Sequence, residues 1–353
     1  CSSMANVNDY VKYYRNKTFM EVPFNEVDAL IFASLSYINL DGFTNNLPQS
    51  INAVATKYFE KTPIEKIKKL AKIQRDSSNL LNCMKNTLRY RDLMITDYQK
   101  VVDEETQFGA ITIKSKDWVY ISFEGTNNYI SGWKEDFHLA HRFPIPSQTL
   151  AKEYINRNVK LMDRRVYIGG HSKGANLAVA GAMKALPSIK RRIIAVYDFD
   201  GPGLREKEFK SFDYRVIEPK IKKYVPSQSM VGMLMNYKKE FKTVNSNAKL
   251  ILQHNLFTWN CFGSFFVEDS LSRKSIKLSK EIKKFISDYS EEEMEDFVQT
   301  LFQVLKKANI SQDDVITIGK FAKYATHIKE LNADQKTKEK LLRLLNIVIE
   351  FHK

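Results

Sequence analysis

The chain has 353 residues, with 55 Lys+Arg against 41 Asp+Glu and a formal net charge of +14. With 43% apolar and 12% aromatic residues, it is too hydrophobic to stay disordered. Its longest apolar runs are a few residues, far short of the roughly 20 that span a bilayer. The N-terminal residues carry no basic-then-apolar leader pattern, so export by that route is not expected. Three cysteines, Cys1, Cys83 and Cys261, cannot build a disulfide framework, which suits a reducing, cytoplasmic setting. Cys1-Ser-Ser before Met4 reads as a cloning remnant without a role.

The positive charge is dispersed. Residues 273–353 hold 16 basic and 13 acidic side chains, leaving 39 and 28 before them, and no block of five like charges occurs. The pattern reads as a solvated, lysine-rich surface, with an anionic membrane surface as a possible partner. No zinc signature, aromatic RNA-binding motif or basic helix points to nucleic acid. The oligomeric state is not legible.

In chain order, residues 5–60 are helix-rich, and apolar spacing from Phe24 to Tyr37 marks one such helix. Thr62-Pro63-Ile-Glu65 is a helix start. Strands follow at Asp92–Val102, Thr106–Ser115 and Trp118–Phe123, the last two as a hairpin. A short helix is expected over Ser131–Leu139 and a longer one over Leu150–Leu161. The strand starting at Arg165, the helix Gly174–Leu186 and the strand Arg192–Phe199 then alternate, which implies a right-handed crossover and a parallel sheet. A further strand is read at Ala248–Leu252. From about Ser272 only helices are expected: Leu278–Tyr289, Glu291–Lys307, Val315–Leu331 and Asp334–Phe351. Ser290-Glu-Glu-Glu and Ser311-Gln-Asp-Asp supply capping starts. The division is therefore 5–272 and a helical appendage, 273–353, and the fold class is α/β.

Gly170-His171-Ser172-Lys173-Gly174 is a G-x-S-x-G segment. It follows a buried strand and opens a helix of small residues, the setting of a nucleophile elbow. The sharp turn presents the serine hydroxyl, and the helix N-terminus favours developing negative charge. Ser172 is thus the expected nucleophile, with the Lys173 N–H facing the oxyanion. A second donor is expected from the loop after Phe123, at Gly125, Thr126 or Asn127, supported by Trp133 and Asp136.

In this arrangement the acid and the histidine follow the serine in the chain. Of His254, His327 and His352, only His254 stands in a loop after a strand-like segment, so it is the expected base. Asp200, at the tip of the strand Arg192–Phe199, is the favoured acid over Asp198, Asp213 and Glu218; the alternative role for Asp200 is to cap the turn or the helix starting near Leu204. Met230, Met233 and Met235 could line an acyl pocket or belong to the core. No metal or other cofactor is indicated: the histidines lack HExxH spacing, the cysteines are scattered, and there is no P-loop or GxGxxG.

These segments resemble the DUF2974 family of the α/β-hydrolase superfamily, Mbeg1-like and related to class 3 lipases. The matching stretches are Pro23-Phe-Asn-Glu-Val-Asp, Leu35-Ser-Tyr, Ser122-Phe-Glu-Gly-Thr, Gly169-Gly-His-Ser-Lys-Gly-Ala-Asn-Leu-Ala, Asp200-Gly-Pro-Gly, Val225-Pro-Ser-Gln-Ser-Met-Val-Gly-Met and Gln253-His254 with Trp259. The resemblance implies an α/β-hydrolase fold, a mostly parallel sheet flanked by helices, with Ser172 and His254 as nucleophile and base. It implies a serine hydrolase of a carboxylic ester, with a small-molecule or lipid ester as substrate. It departs at one point: class 3 lipases usually carry their acid in an Asp-x-Val-like segment, where this chain reads Ser229-Met-Val231. Either Asp200 serves instead, or the chain is a catalytically impaired scaffold that binds a partner.

Overall fold

A computed structural model describes residues 5–127, 130–307, 326 and 328–353. Its N-terminal part contains α1 (Val7–Tyr13), α2 (Glu26–Leu35), β1 (Gln49–Ser50), α3 (Ile51–Lys61), α4 (Ile64–Lys68) and α5 (Lys72–Met84). Then come β2 (Met94–Val102), β3 (Gln107–Lys114), β4 (Val119–Phe123), α6 (Ile130–His138) and α7 (Pro146–Asn158). β5 (Val166–His171), α8 (Lys173–Lys184), α9 (Pro187–Lys190), β6 (Ile193–Phe199), α10 (Glu206–Phe209), α11 (Phe212–Ile217), β7 (Ile221–Pro226) and β8 (Lys242–Val244) follow. A small hairpin, β9 (Cys261–Phe262) and β10 (Phe265–Phe266), leads to α12 (Arg273–Ser287), α13 (Glu291–Lys307) and α14 (Gln335–His352).

The eight strands β1 to β8 lie side by side in chain order. β1 to β4 pair antiparallel, and β4 to β8 pair parallel. The expected β3–β4 hairpin is present, turning at Ser115–Trp118. Alternation along the strands divides the core. Ile111, Ile113, Tyr120 and Tyr197 face a layer made with α1, α2, α3 and α5. Phe108, Val119, Ile121, Phe123 and Val196 face α7, α8 and α11. The architecture is an α/β-hydrolase fold, a mostly parallel sheet covered by helices on both sides.

Two expectations change. The strand read at Ala248–Leu252 is a 3-10 turn, Leu250–His254. Side-chain bonds override strand pairing there: Leu250 N–H donates to Gln228 Oε1 at 2.6 Å, and Gln253 Oε1 accepts from Gln228 N–H at 2.7 Å. Conversely β7 and β8, not anticipated, extend the parallel sheet. The helix over Val315–Leu331, its Ser311 start and His327 fall largely outside the described residues.

α12 to α14 form a third apolar cluster around Leu278, Phe285, Phe297, Leu341 and Phe351, against which Phe137, Met230, Leu234 and Leu250 pack. Ser290 opens α13 as expected: its Oγ accepts from Glu293 N–H at 3.1 Å, and Glu293 Oε1 accepts from Ser290 N–H at 3.3 Å.

The N-terminal layer is locked by a buried ion pair. Asp28, on α2, accepts from Arg89 Nη2 at 2.7 Å, Arg89 Nε at 3.1 Å and Tyr90 OH at 2.6 Å. Arg89 also lies over the Phe19 ring at 4.1 Å. Both side chains are fully buried, so removing one strands the other charge. Arg89→Met is expected to lower stability by about 3–5 kcal/mol, read as a shift of the denaturant midpoint. Lys17→Ala, which breaks an exposed pair with Glu21, should shift it by under about 1 kcal/mol.

Candidate active site

Ser172 is the single residue between β5 and α8, with φ 60 and ψ −131. A non-glycine residue takes this left-handed conformation only when its surroundings impose it. They do: Ser172 N–H donates to Phe199 O at 3.0 Å, tying the turn to the end of β6. Glycines make room for the crossing. A Cβ on Gly170 would meet the Gly174 carbonyl at 2.4 Å, and one on Gly174 would meet Phe123 O at 2.1 Å. Lys173 is the first residue of α8, so its N–H has no intrahelical acceptor and remains available at the helix start.

Asp200 stands just past β6 with φ 53 and is fully buried. Strand alternation would place Asp198 and Asp200 on one side, but it does not carry through this turned backbone, and the two side chains diverge. Asp198 pairs with Lys223 Nζ at 3.2 Å and accepts from Gly201 N–H at 3.0 Å. Asp198 thereby holds the turn. Asp200 Oδ2 instead meets His254 Nδ1 at 2.6 Å. Its other oxygen accepts from Ser229 Oγ at 2.5 Å and Gly232 N–H at 3.0 Å. Burial pushes the Asp200 carboxyl up, but the bond and charge of His254 and the Ser229 hydroxyl outweigh it and hold the pKa below the ordinary aspartate value. The segment Ser229-Met-Val231 thus contributes a hydrogen bond to Asp200. Because a carboxylate only accepts, His254 Nδ1 carries the proton in this bond.

Among the other residues considered as acid or base, Asp213 pairs with Lys184 and Lys190. His352 Nδ1 bonds Val348 O within α14. Met233 is buried, and Met230 packs on the C-terminal cluster. Met235 is buried against Leu139 and Ile145.

The loop after β4 is braced by two acids. Thr126 Oγ1 donates to Asp136 Oδ2 at 2.5 Å, and Asn127 Nδ2 donates to Glu124 Oε1 at 2.8 Å. Burial raises Asp136 to about 6 and Glu124 to about 7. The Lys173 side chain runs under this loop, fully buried, and donates to Glu135 Oε1 at 2.9 Å and Gln107 O at 2.7 Å. Asp136 therefore supports the Gly125–Thr126 loop as anticipated; the Trp133 side chain is outside the described residues. The Lys173–Glu135 pair was not anticipated, since its partners are joined only by the fold.

His171 was also missed. It is buried, its Nε2 donates to His254 O at 2.7 Å, and its Nδ1 accepts from Tyr37 OH at 2.8 Å. Its ring lies 4.5 Å from that of His254. The elbow's variable position thus anchors the loop carrying His254. Its only sequence signal was adjacency to Ser172. Burial, then the charge of His254, depress the His171 pKa from 6.5 to about 3. Below pH 6.5 the unfolded chain binds a proton that the folded chain refuses. The stability from the neutral ring is complete above pH 6.5 and is lost as pH falls toward 3. Across that window the wild type should lose ~1.4 kcal/mol per pH unit more than His171→Gln, measured by urea unfolding at a series of pH values.

The sequence profile of the Mbeg1-like family matches residues 84–303. Comparison with curated proteins finds no match. Among solved structures, the chain is similar to M37 lipase, at 17% identity over 59% of this chain and 69% of that one, with a TM-score of 0.34. A fungal lipase in an inhibitor complex, described as a model for interfacial activation, gives 12% identity, 62% and 77% coverage and a TM-score of 0.36. The Rhizomucor miehei lipase–propeptide complex gives 13% identity, 68% and 80% coverage and a TM-score of 0.38. With the profile spanning more than half of its length, the chain belongs to the Mbeg1-like family, which is related to class 3 lipases.

Proposed function

We propose that the protein is a serine hydrolase of carboxylic esters, working through Ser172, His254 and Asp200. The observation that carries this reading is the short bond between His254 Nδ1 and Asp200 Oδ2 at 2.6 Å, beside a serine held in an elbow. In this reading Ser172 Oγ attacks the acyl carbon while His254 Nε2 takes its proton. The N–H groups of Lys173 and of Gly125 or Thr126 receive the oxyanion, each contributing about 3 kcal/mol to the transition state. The tetrahedral intermediate collapses, the C–O bond breaks, and His254 protonates the departing alcohol. Water, deprotonated by His254, then releases the acid and restores Ser172. Asp200 keeps His254 in the required tautomer and offsets the charge of the imidazolium.

The substrate class is a small-molecule or lipid ester. Met230, which keeps part of its surface accessible, is the pocket-lining residue of this reading, with buried Met233 behind it. The impaired-scaffold alternative rests on the missing acid at Ser229, and the Asp200–His254 bond at 2.6 Å supports the hydrolase reading over it. We also place the division near residue 272, with the helical segment resting on the Met230–Leu250 loop. Attraction of the +14 chain to anionic membrane belongs to the same proposal. So does a reducing cytoplasmic setting, in keeping with the free thiols of Cys83 and Cys261. No helix among the described residues is long and apolar enough to cross a membrane.

A fluorophosphonate probe should label the wild type and leave Ser172→Ala unlabelled. With p-nitrophenyl esters of increasing chain length, Asp200→Asn should lower kcat by about 10³–10⁴-fold. Absence of labelling, or equal labelling of Ser172→Ala, would sink the reading.

A further inference from the structure

Away from the proposed catalytic residues, one group of metal-ligand side chains converges among the described residues: His138, His141 and Glu295. His138 ends α6, His141 stands three residues on, and Glu295 lies on α13, 154 positions further along the chain. His141 Nε2 is 2.6 Å from Glu295 Oε2 and 3.2 Å from His138 Nδ1, which is itself 3.6 Å from the same oxygen. The two rings are buried, whereas the Glu295 side chain is 32% exposed.

Counting protons shows what is unusual. The carboxylate can only accept, so His141 Nε2 carries a proton directed at it. His138 Nδ1 faces the same N–H, so three basic atoms share one proton. The far nitrogens, His138 Nε2 and His141 Nδ1, are buried without a hydrogen-bond partner. Nothing in a simple ion pair requires two imidazoles to aim at one carboxylate oxygen. A cation in place of the shared proton would accept all three lone pairs. Ligand atoms around a tetrahedral zinc, bonded at 2.0–2.2 Å, lie about 3.3 Å apart, and the three separations here bracket that value. The carboxylate is also held in place: Arg142 bonds both its oxygens, and Gln299 donates to Oε1 at 3.3 Å. Burial depresses the pKa of both histidines, that of His138 to about 4.

We propose that His138, His141 and Glu295 form a binding site for a divalent first-row transition cation, zinc foremost, with water completing the sphere on the exposed side. HExxH spacing does not describe this site. Two ligands come as H-x-x-H and the third only through docking of α13. The ion would staple the C-terminal helices to α6, which also carries Glu135 and Asp136, the partners of Lys173 and Thr126.

The test is titration of the chelator-stripped full chain with Co²⁺ as a spectroscopic substitute for zinc. About one Co²⁺ per chain should produce visible d–d bands, disappear on adding Zn²⁺, and raise Tm. Glu295→Gln and His141→Asn should weaken Co²⁺ by more than about tenfold and abolish the Tm shift, with unchanged far-UV circular dichroism. No stoichiometric Co²⁺ in the wild type, or equal bands in both variants, overturns the proposal. The wild-type titration decides even where a variant fails to fold. None of these readouts depends on hydrolysis, so the metal site and the hydrolase reading stand or fall separately.

Discussion

Three backbones meet at the end of β5: the strand itself, the first turn of α8 and the chain leaving β4. They approach so closely that side chains at Gly170 and Gly174 would collide with main-chain carbonyls. This contact forces Ser172 into a left-handed conformation, and the bond from its N–H to Phe199 O fixes the turn against β6. The end of β6 in turn leads to Asp200, also left-handed. Two strained residues at neighbouring strand ends thus determine where the Ser172 and Asp200 side chains stand. The strain is supported by the buried sheet beneath, as expected where local geometry serves chemistry.

Around this crossing, buried polar groups act as struts. Lys173 Nζ reaches Glu135 and ties the elbow to α6. Tyr37 and His171 reach from the helical layer and the elbow to the backbone of His254. Ser229 and Gly232 hold the second oxygen of Asp200. These desolvated groups meet one another, as a low-dielectric interior favours. The outcome is a histidine fixed by two different elements, one through its ring and one through its carbonyl.

The C-terminal helices pack against this arrangement. Their apolar cluster includes Phe137 beyond Asp136, and Met230 and Leu234 on either side of Gly232. Packing there adjoins the segments that hold the Gly125–Thr126 loop and Asp200. Glu295 adds a polar connection to the two histidines at the end of α6.

Much was legible from local pattern. Alternating apolar residues marked β2 to β6, and the glycines around Ser172 between a strand and a small-residue helix marked the elbow, because those signals are local and steric. Capping residues such as Ser290 marked helix starts for the same reason. The expectation for His254 rested on chain order. Other features depended on contacts between distant residues. β7 and β8 are short and lack strong alternation, and the apolar run Ala248–Leu252 became a 3-10 turn because Gln228 and Gln253 captured its backbone. Asp198 and Asp200 could not be separated from spacing alone, since a single left-handed residue changed which way the second points. Lys173–Glu135, His171–His254 and His138–His141–Glu295 join residues whose proximity no local pattern encodes. The sequence by itself determined the layered α/β plan and the sharp turn at Ser172, through periodicity and glycine sterics. Only the tertiary structure decided which charges and rings meet, because desolvated polar groups find partners across the fold.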